Sequence, residues 1–246
     1  MSEVTFDKYE HRGAYHWTEC FGPLRQINAY TLARYAQVLT ALRESGIGPD
    51  NRVLDVGCGD GALTGMIAMK LKADVTGIDA TALSINLAEQ EFSKRGLQGE
   101  FKVIEGYTYP WPNQSFDAVV CADVIEHVQK PGDMLLEMWR VLAPGGVMVV
   151  TTPIRYTETP MDRLHVREWF PQAFKSFCSE VINAPVELRQ SHPVALVELY
   201  DAPVRILNRI SRFVINLLAK LDRNPFLFNG GLRIYTTQTV IAKKPR

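Results

Sequence analysis

VLDVGCGDGALT, Val53 to Thr64, joins a short apolar run carrying an acid to a turn with glycine at every second position, Gly57, Gly59 and Gly61. The apolar run reads as a strand buried on both faces, and the residues after Gly61 open a helical pattern. Glycines in such a strand-to-helix turn let a ligand approach the backbone at the carboxyl edge of a parallel sheet. The phosphate-binding version of this turn reads GxGxxG, whereas this one reads GxGxG and holds Asp55 in the strand and Asp60 in the turn. Acids repel a pyrophosphate and attract an ammonium group. The next apolar run ends in Asp79, 24 residues beyond Asp55, where a carboxylate can accept both hydroxyls of a ribose. The residues describe a nucleoside with a cationic amino-acid tail and no phosphate.

The same alternation extends on both sides. RVLDVGC (52–58), ADVTGID (73–79), FKVIEG (101–106), FDAVVCAD (116–123) and GGVMVVTTP (145–153) have the composition of buried parallel strands. Helical patterns at 61–72, 81–95 and 131–142 separate them, the last closed by Pro144-Gly145-Gly146. This is an α/β, doubly wound sheet. Ahead of it, Leu24, Ile27, Tyr35, Val38, Leu39 and Leu42 recur at helical spacing and predict a helical arm over 23–46.

VLDVGCGDG, GIDAT, FDAVVCADVIEHV and RVLAPGGVMVVTTP, in this order over residues 51–153, resemble the successive motifs of the class I S-adenosylmethionine-dependent methyltransferases. The resemblance implies a seven-stranded Rossmann-like sheet and S-adenosyl-L-methionine as cofactor. Gly57, Gly59 and Gly61 would pass under its methionine part, with Asp55 beside them, and Asp79 would hold its ribose. Many relatives place an acid after the third strand to meet the adenine, and here Tyr107 and Thr108 stand there instead.

ADVIEHV brings Asp123, Glu126 and His127 to the carboxyl end of the fourth strand, and DRLHVREWFPQAF brings His165 to the same rim after the fifth. Two oxygens and two nitrogens around one point suit a divalent ion, Mg or Mn, that polarises an acceptor hydroxyl. The arrangement resembles the metal site of the small-RNA 2′-O-methyltransferases, with Asp123 in place of the leading glutamate of ExxEH. The Glu126–His127 pair is also similar to that of ubiquinone-biosynthesis O-methyltransferases. The alternatives are a metal-free site in which His127 is a general base and Glu126 orients the acceptor, or a histidine that only packs at the strand end.

PVELRQSHP (185–193) predicts the sixth strand and RIYTTQTVIAKK (233–244) the last, antiparallel one, with about 40 residues between them. The expected organisation is an arm or lid over 1–48, a cofactor-binding core over 49–193, an insert covering the acceptor side over 194–232, and the final strand over 233–246. Within the insert, residues 204–221 form an apolar helical stripe flanked by Arg205, Arg209, Arg212 and Lys220 with no acid. That pattern suits a peripheral membrane contact, or packing on the domain or on a homodimer partner. In the arm, GAYHW (13–17) could close over the site or staple the arm to the core.

Charges balance at 27 basic against 27 acidic residues, which removes the electrostatic footprint of a bulk nucleic-acid binder. The four cysteines are scattered and read as reduced thiols, and no signal-type or membrane-spanning apolar run stands out. The expectation is a cytoplasmic O-methyltransferase, peripheral at the membrane if the insert meets lipid, with a small hydroxylated acceptor such as a sugar, a quinone precursor or a lipid-linked glycan. An RNA 2′-O-methyltransferase and a noncatalytic cofactor-binding module are the alternatives.

Overall fold

The computed structural model describes residues 8–158, 160, 162–228 and 234–246. In chain order the elements are α1 (Lys8–Arg12), α2 (Tyr15–Phe21), α3 (Ala29–Glu44), β1 (Arg52–Val56), α4 (Ala62–Leu71), β2 (Asp74–Asp79), α5 (Ala82–Lys94) and β3 (Glu100–Val103). They continue with β4 (Phe116–Ala122), α6 (Pro131–Val141), β5 (Leu142–Pro153), α7 (Pro171–Ile182), β6 (Val186–Pro193), α8 (Val194–Tyr200), α9 (Arg205–Lys220) and β7 (Tyr235–Lys243).

The strands form one seven-stranded sheet in the order β3-β2-β1-β4-β5-β7-β6. β7 runs antiparallel to β5 and β6, and the other pairings are parallel. Alternate residues of β1 and β4 feed two cores because successive side chains of a strand point to opposite faces. Leu54 and Val119 pack with Met138 of α6 and Phe174 of α7. Val53, Ala118 and Val120 pack with Leu42 of α3 and Ile67 of α4. All four cysteines are buried and free.

Three boundaries differ from the sequence reading. The arm helix starts at Ala29, because the Asn28 side chain accepts from the Tyr30 N–H and caps it there, so Leu24 and Ile27 precede the helix. β3 stops at Val103. β5 begins at Leu142, which pairs with Phe116 before an irregularity in register, so Pro144-Gly145-Gly146 lies inside the strand. The final strand is first described at Ile234 and paired from Tyr235, and the expected boundary at 232/233 lies outside the described residues.

Between β6 and β7, α8, α9 and a short 3₁₀ turn at Pro225–Leu227 pack on the start of α3. Tyr200, Ile215 and Phe226 form a small third core there with Ala29 and Ala33. The buried residues of α9 are Ser211, Ile215 and Asn216, so the apolar stripe does not pack on the domain, contrary to one of the sequence alternatives. Among the described residues no helix is long and apolar enough to cross a membrane.

Candidate active site

Gly57, Gly59 and Gly61 all have positive φ, at 71°, 55° and 77°, which explains glycine at each turn position. The turn is tied to β2 because the Gly57 and Cys58 amides both donate to the Ile78 carbonyl, at 2.8 and 2.9 Å. That bond pair brings Asp79 to the turn, where one carboxylate oxygen accepts from the Gly59 N–H at 3.0 Å. The other accepts from the Thr81 amide, also at 3.0 Å. Asp55 is oriented differently from the sequence reading. Its side chain is buried beneath the turn and accepts from the Thr64 hydroxyl at 2.6 Å, so it braces the turn from below rather than facing a ligand's ammonium group. Burial pushes its carboxyl up to about 7, with the Thr64 bond acting in the other direction.

Asp60 is likewise buried, and it anchors the arm. Its carboxylate accepts from the His16 amide at 2.9 Å and its carbonyl from the Trp17 indole at 2.6 Å. The Tyr9 hydroxyl donates to, or accepts from, His16 Nδ1 at 3.2 Å and accepts from the Asp60 amide at 3.3 Å. A Cβ built on Gly59 would stand 2.0 Å from that hydroxyl. The arm residue Tyr9 therefore lies where the sequence reading expected only ligand. On the far side of the turn, Tyr107 is half-buried, its hydroxyl accepting from the Lys130 amide at 3.3 Å, and Thr108 is exposed.

At the carboxyl end of β4 a 3₁₀ turn, Ile125–His127, sets Glu126 inward. Among the described residues the one group of side chains that could hold a metal is Glu126, His127 and His165, whose ligand atoms lie within 4.8 Å of one another. Asp123 does not join them, which corrects the four-residue set expected from sequence. It adopts positive φ at 55° and turns its carboxylate to Arg34 at 2.6 Å and the Thr151 hydroxyl at 3.3 Å. Arg34 stays firmly charged: burial acts against it, and Asp123, Tyr30, Tyr35 and Glu126 together outweigh that burial. Nothing in the motifs announces Arg34. The available signal was a cation at i, i+4, i+7 spacing with the buried Val38 and Ala41 on a helix whose partner acid had to come from elsewhere.

Glu126 is fully buried and accepts from the Thr152 hydroxyl at 3.0 Å. Burial first, and the Asp123 charge second, push its carboxyl well above the usual range. His127 Nδ1 lies 3.0 Å from the Leu164 carbonyl, and His165 Nδ1 lies 2.5 Å from the Glu168 carboxylate. Both partners accept, so each ring donates from Nδ1, and in a neutral His127 the lone pair is on Nε2. Burial holds the His127 imidazole below its ordinary value, against the Leu164 bond, which keeps it neutral at neutral pH. The two rings meet edge to face at 4.9 Å between centroids.

The description "methyltransferase domain" belongs to the family whose model matches residues 54–150. A ubiquinone biosynthesis O-methyltransferase of Roseobacter denitrificans is 31% identical over 176 residues, covering 67% of this chain and 71% of the relative. The chain belongs to the class I S-adenosylmethionine-dependent methyltransferases. This methyltransferase is also 34% identical over 142 residues to the sterol 24-C-methyltransferase erg-4 of Neurospora crassa, covering 55% of this chain and 37% of that one. A solved phosphoethanolamine N-methyltransferase 2 of Haemonchus contortus superposes with a TM-score of 0.68 at 18% identity, covering 97% of this chain and 58% of that one. The YcgJ protein of Bacillus subtilis gives 0.60 at 18%, covering 87% and 98%. At those identities the likeness is one of fold, and the methyltransferase shares its sheet order and antiparallel β7 with it.

Proposed function

We propose that this methyltransferase transfers its methyl group to oxygen on a small hydroxylated acceptor, a sugar, a quinone precursor or a lipid-linked glycan, at the rim formed by Glu126, His127 and His165. The observation that carries the reading is that rim itself: one buried carboxylate and two imidazoles, each ring held by a hydrogen bond at Nδ1, with ligand atoms within 4.8 Å of one another. The Roseobacter relative, an O-methyltransferase of ubiquinone biosynthesis, supports it.

The turn residues fit the cofactor. Gly57, Gly59 and Gly61 supply the positive φ that the turn needs, and Asp79, held at the turn by the Gly59 N–H and by Thr81, would accept a ribose hydroxyl there. Asp55 stiffens the turn from beneath, and Tyr107 and Thr108 flank the adenine side. S-Adenosylmethionine supplies a methyl group on a sulfonium, already a good leaving group. The work left to the chain is to align the reactants and take a proton from the acceptor hydroxyl. His127, neutral with its lone pair on Nε2, can accept that proton. Alternatively Glu126, His127 and His165 hold a Mg or Mn ion, which would acidify the hydroxyl. Two imidazoles beside one carboxylate are a nitrogen-rich set for oxygen-preferring Mg or Mn, which favours the metal-free version.

The test is a screen of hydroxylated acceptors with labelled cofactor, run with chelator and with Mg or Mn returned. Turnover lost to chelator and restored by the ion assigns the metal. Turnover indifferent to chelator but lost in His127→Ala assigns the base. Full activity in His127→Ala would overturn both. Asp79→Ala is expected to weaken S-adenosylhomocysteine binding by about 1.5–3 kcal/mol in calorimetric titration, the scale of hydrogen bonds to a charged group.

A further inference from the structure

We propose that the outward face of α9 docks this protein on an anionic lipid bilayer. An amphipathic helix on a globular protein ordinarily turns its apolar stripe to the core. α9 does the reverse. Its inward face puts only Ile215 and Ala219 into the small third core and is otherwise polar and specifically bonded: Asn216 Oδ1 accepts from the Ala29 amide at 3.1 Å and the Tyr200 hydroxyl at 2.8 Å, while Nδ2 donates to the Ile27 carbonyl at 2.8 Å. The Ser211 hydroxyl donates to the Leu199 carbonyl at 2.7 Å, and Asn208 Nδ2 to the Tyr200 carbonyl at 2.8 Å. These bonds fix the rotation of the helix, because turning the stripe inward would strand the Ile27 carbonyl and leave the Ala29 amide only its longer bond to the Tyr200 hydroxyl at 3.3 Å.

Outward stand Ile206, Ile210, Phe213, Val214 and Leu221, exposed by 70, 58, 53, 46 and 61%. Beyond the end of the helix, beside Asp222 and Arg223, the surface opens into a groove of about 630 Å³ whose apolar lining includes Leu196, Pro225, Leu227 and Phe228. A surface of this kind on a protein marks an interaction site.

The charges choose the occupant. Arg205, Arg209 and Lys220 are exposed and border the stripe on one flank, and α9 contains no acid. The fourth cation, Arg212, is turned to the protein, 3.6 Å from Asp201 and over the Tyr200 ring at 4.5 Å. A second copy laid stripe to stripe would bring cationic flanks together with no acid on either helix to answer them. Lipid phosphates answer them, and acyl chains take the stripe. The insert leaves β6 at Pro193, the carboxyl end of a strand parallel to β4, so α9 belongs to the same edge of the sheet as the candidate active site. The inference goes beyond the proposed acceptor chemistry and stands independently of it.

The experiment floats the full chain with phosphatidylcholine vesicles and with phosphatidylcholine–phosphatidylglycerol vesicles at low and high salt. The expected result is flotation with the anionic vesicles alone, weakening as salt screens the cations. Arg205→Glu with Arg209→Glu should lower partitioning at least ~10-fold, a pair of cations near the surface being worth roughly 30-fold. Ile210→Ser with Phe213→Ser should abolish flotation and leave the melting temperature unchanged, because those side chains face outward. Absence of flotation with anionic vesicles at low salt would overturn the proposal. So would equal, salt-independent binding to neutral vesicles, a dimer that the serine pair dissociates in the absence of vesicle binding, or a melting temperature that falls in the serine pair.

Discussion

Asp55 illustrates how much a residue's identity says and how little its direction follows from it. Its place in the turn motif is legible from VLDVGCGDG, but whether its carboxylate faces a ligand or the core depends on Thr64, nine residues later, reaching it at 2.6 Å from α4. The consequence is measurable. A folded-state value of about 7 lies above the ~3.9 of an unfolded aspartate, so between those values the folded chain holds the extra proton. The associated stability is fully present below the unfolded value and is lost as pH rises through the folded one. Asp55→Asn keeps an oxygen to accept from Thr64 and cannot ionise. Its advantage over the parent in denaturant-unfolding free energy should therefore widen by about 2–3 kcal/mol between pH 5 and pH 8. A gap that does not change with pH would show that the carboxyl is not held neutral by burial. Asp123 is the companion case: the sequence puts it beside Glu126 and His127, and Arg34 draws its carboxylate away from them.

At the scale of elements, periodicity located every strand of the sheet and α4, α5 and α6 to within a few residues, because buried parallel strands and their covering helices have different apolar repeats, whereas α7 between β5 and β6 was not read. α9 was legible as an amphipathic helix, but the direction of its stripe was not. Hydrophobic pattern alone assigns the apolar face to the core, and here Ser211 and Asn216 compete for that position by satisfying the backbone at the start of α3. Asn216→Leu tests which term holds the insert. It removes three bonds, strands the Ile27 carbonyl and leaves the Ala29 amide only the Tyr200 hydroxyl, so it is expected to destabilise by about 1–3 kcal/mol despite being more apolar. Thermal or denaturant unfolding reads this directly, and an unchanged or raised stability would mean that apolar burial dominates the contact.

Across the whole molecule, the arm is part of the core as well as a cover for the turn. Trp17 is 1% exposed, meets Gly65 of α4 and Phe92 of α5, and carries the Arg95 guanidinium over its ring at 4.1 Å. A lid that opened freely would leave this ring in water. Trp17→Ala is accordingly expected to cost about 3–5 kcal/mol of global stability, the range for emptying a large aromatic site. In a chain of this size that lowers the melting temperature by roughly 2–4 °C per kcal/mol. An unaltered melting temperature would make the arm a detachable lid.

The sequence by itself determined the doubly wound sheet, the glycine turn, the acid at the end of β2 and the chemistry-bearing residues after β4 and β5, since each follows from a local repeat or a short motif read along the chain. Tertiary structure alone decided which of those side chains meet. His165 joins Glu126 and His127 because the loop after β5 folds back, the Glu126 carbonyl accepting the Val166 and Arg167 amides at 2.8 and 3.1 Å. Asp123 leaves them for an arginine 89 positions earlier, and α9 faces outward because an asparagine is needed 187 positions from the amide it satisfies. Such choices are settled by pairing buried charges and backbone groups across distant segments, and no window of sequence contains both partners.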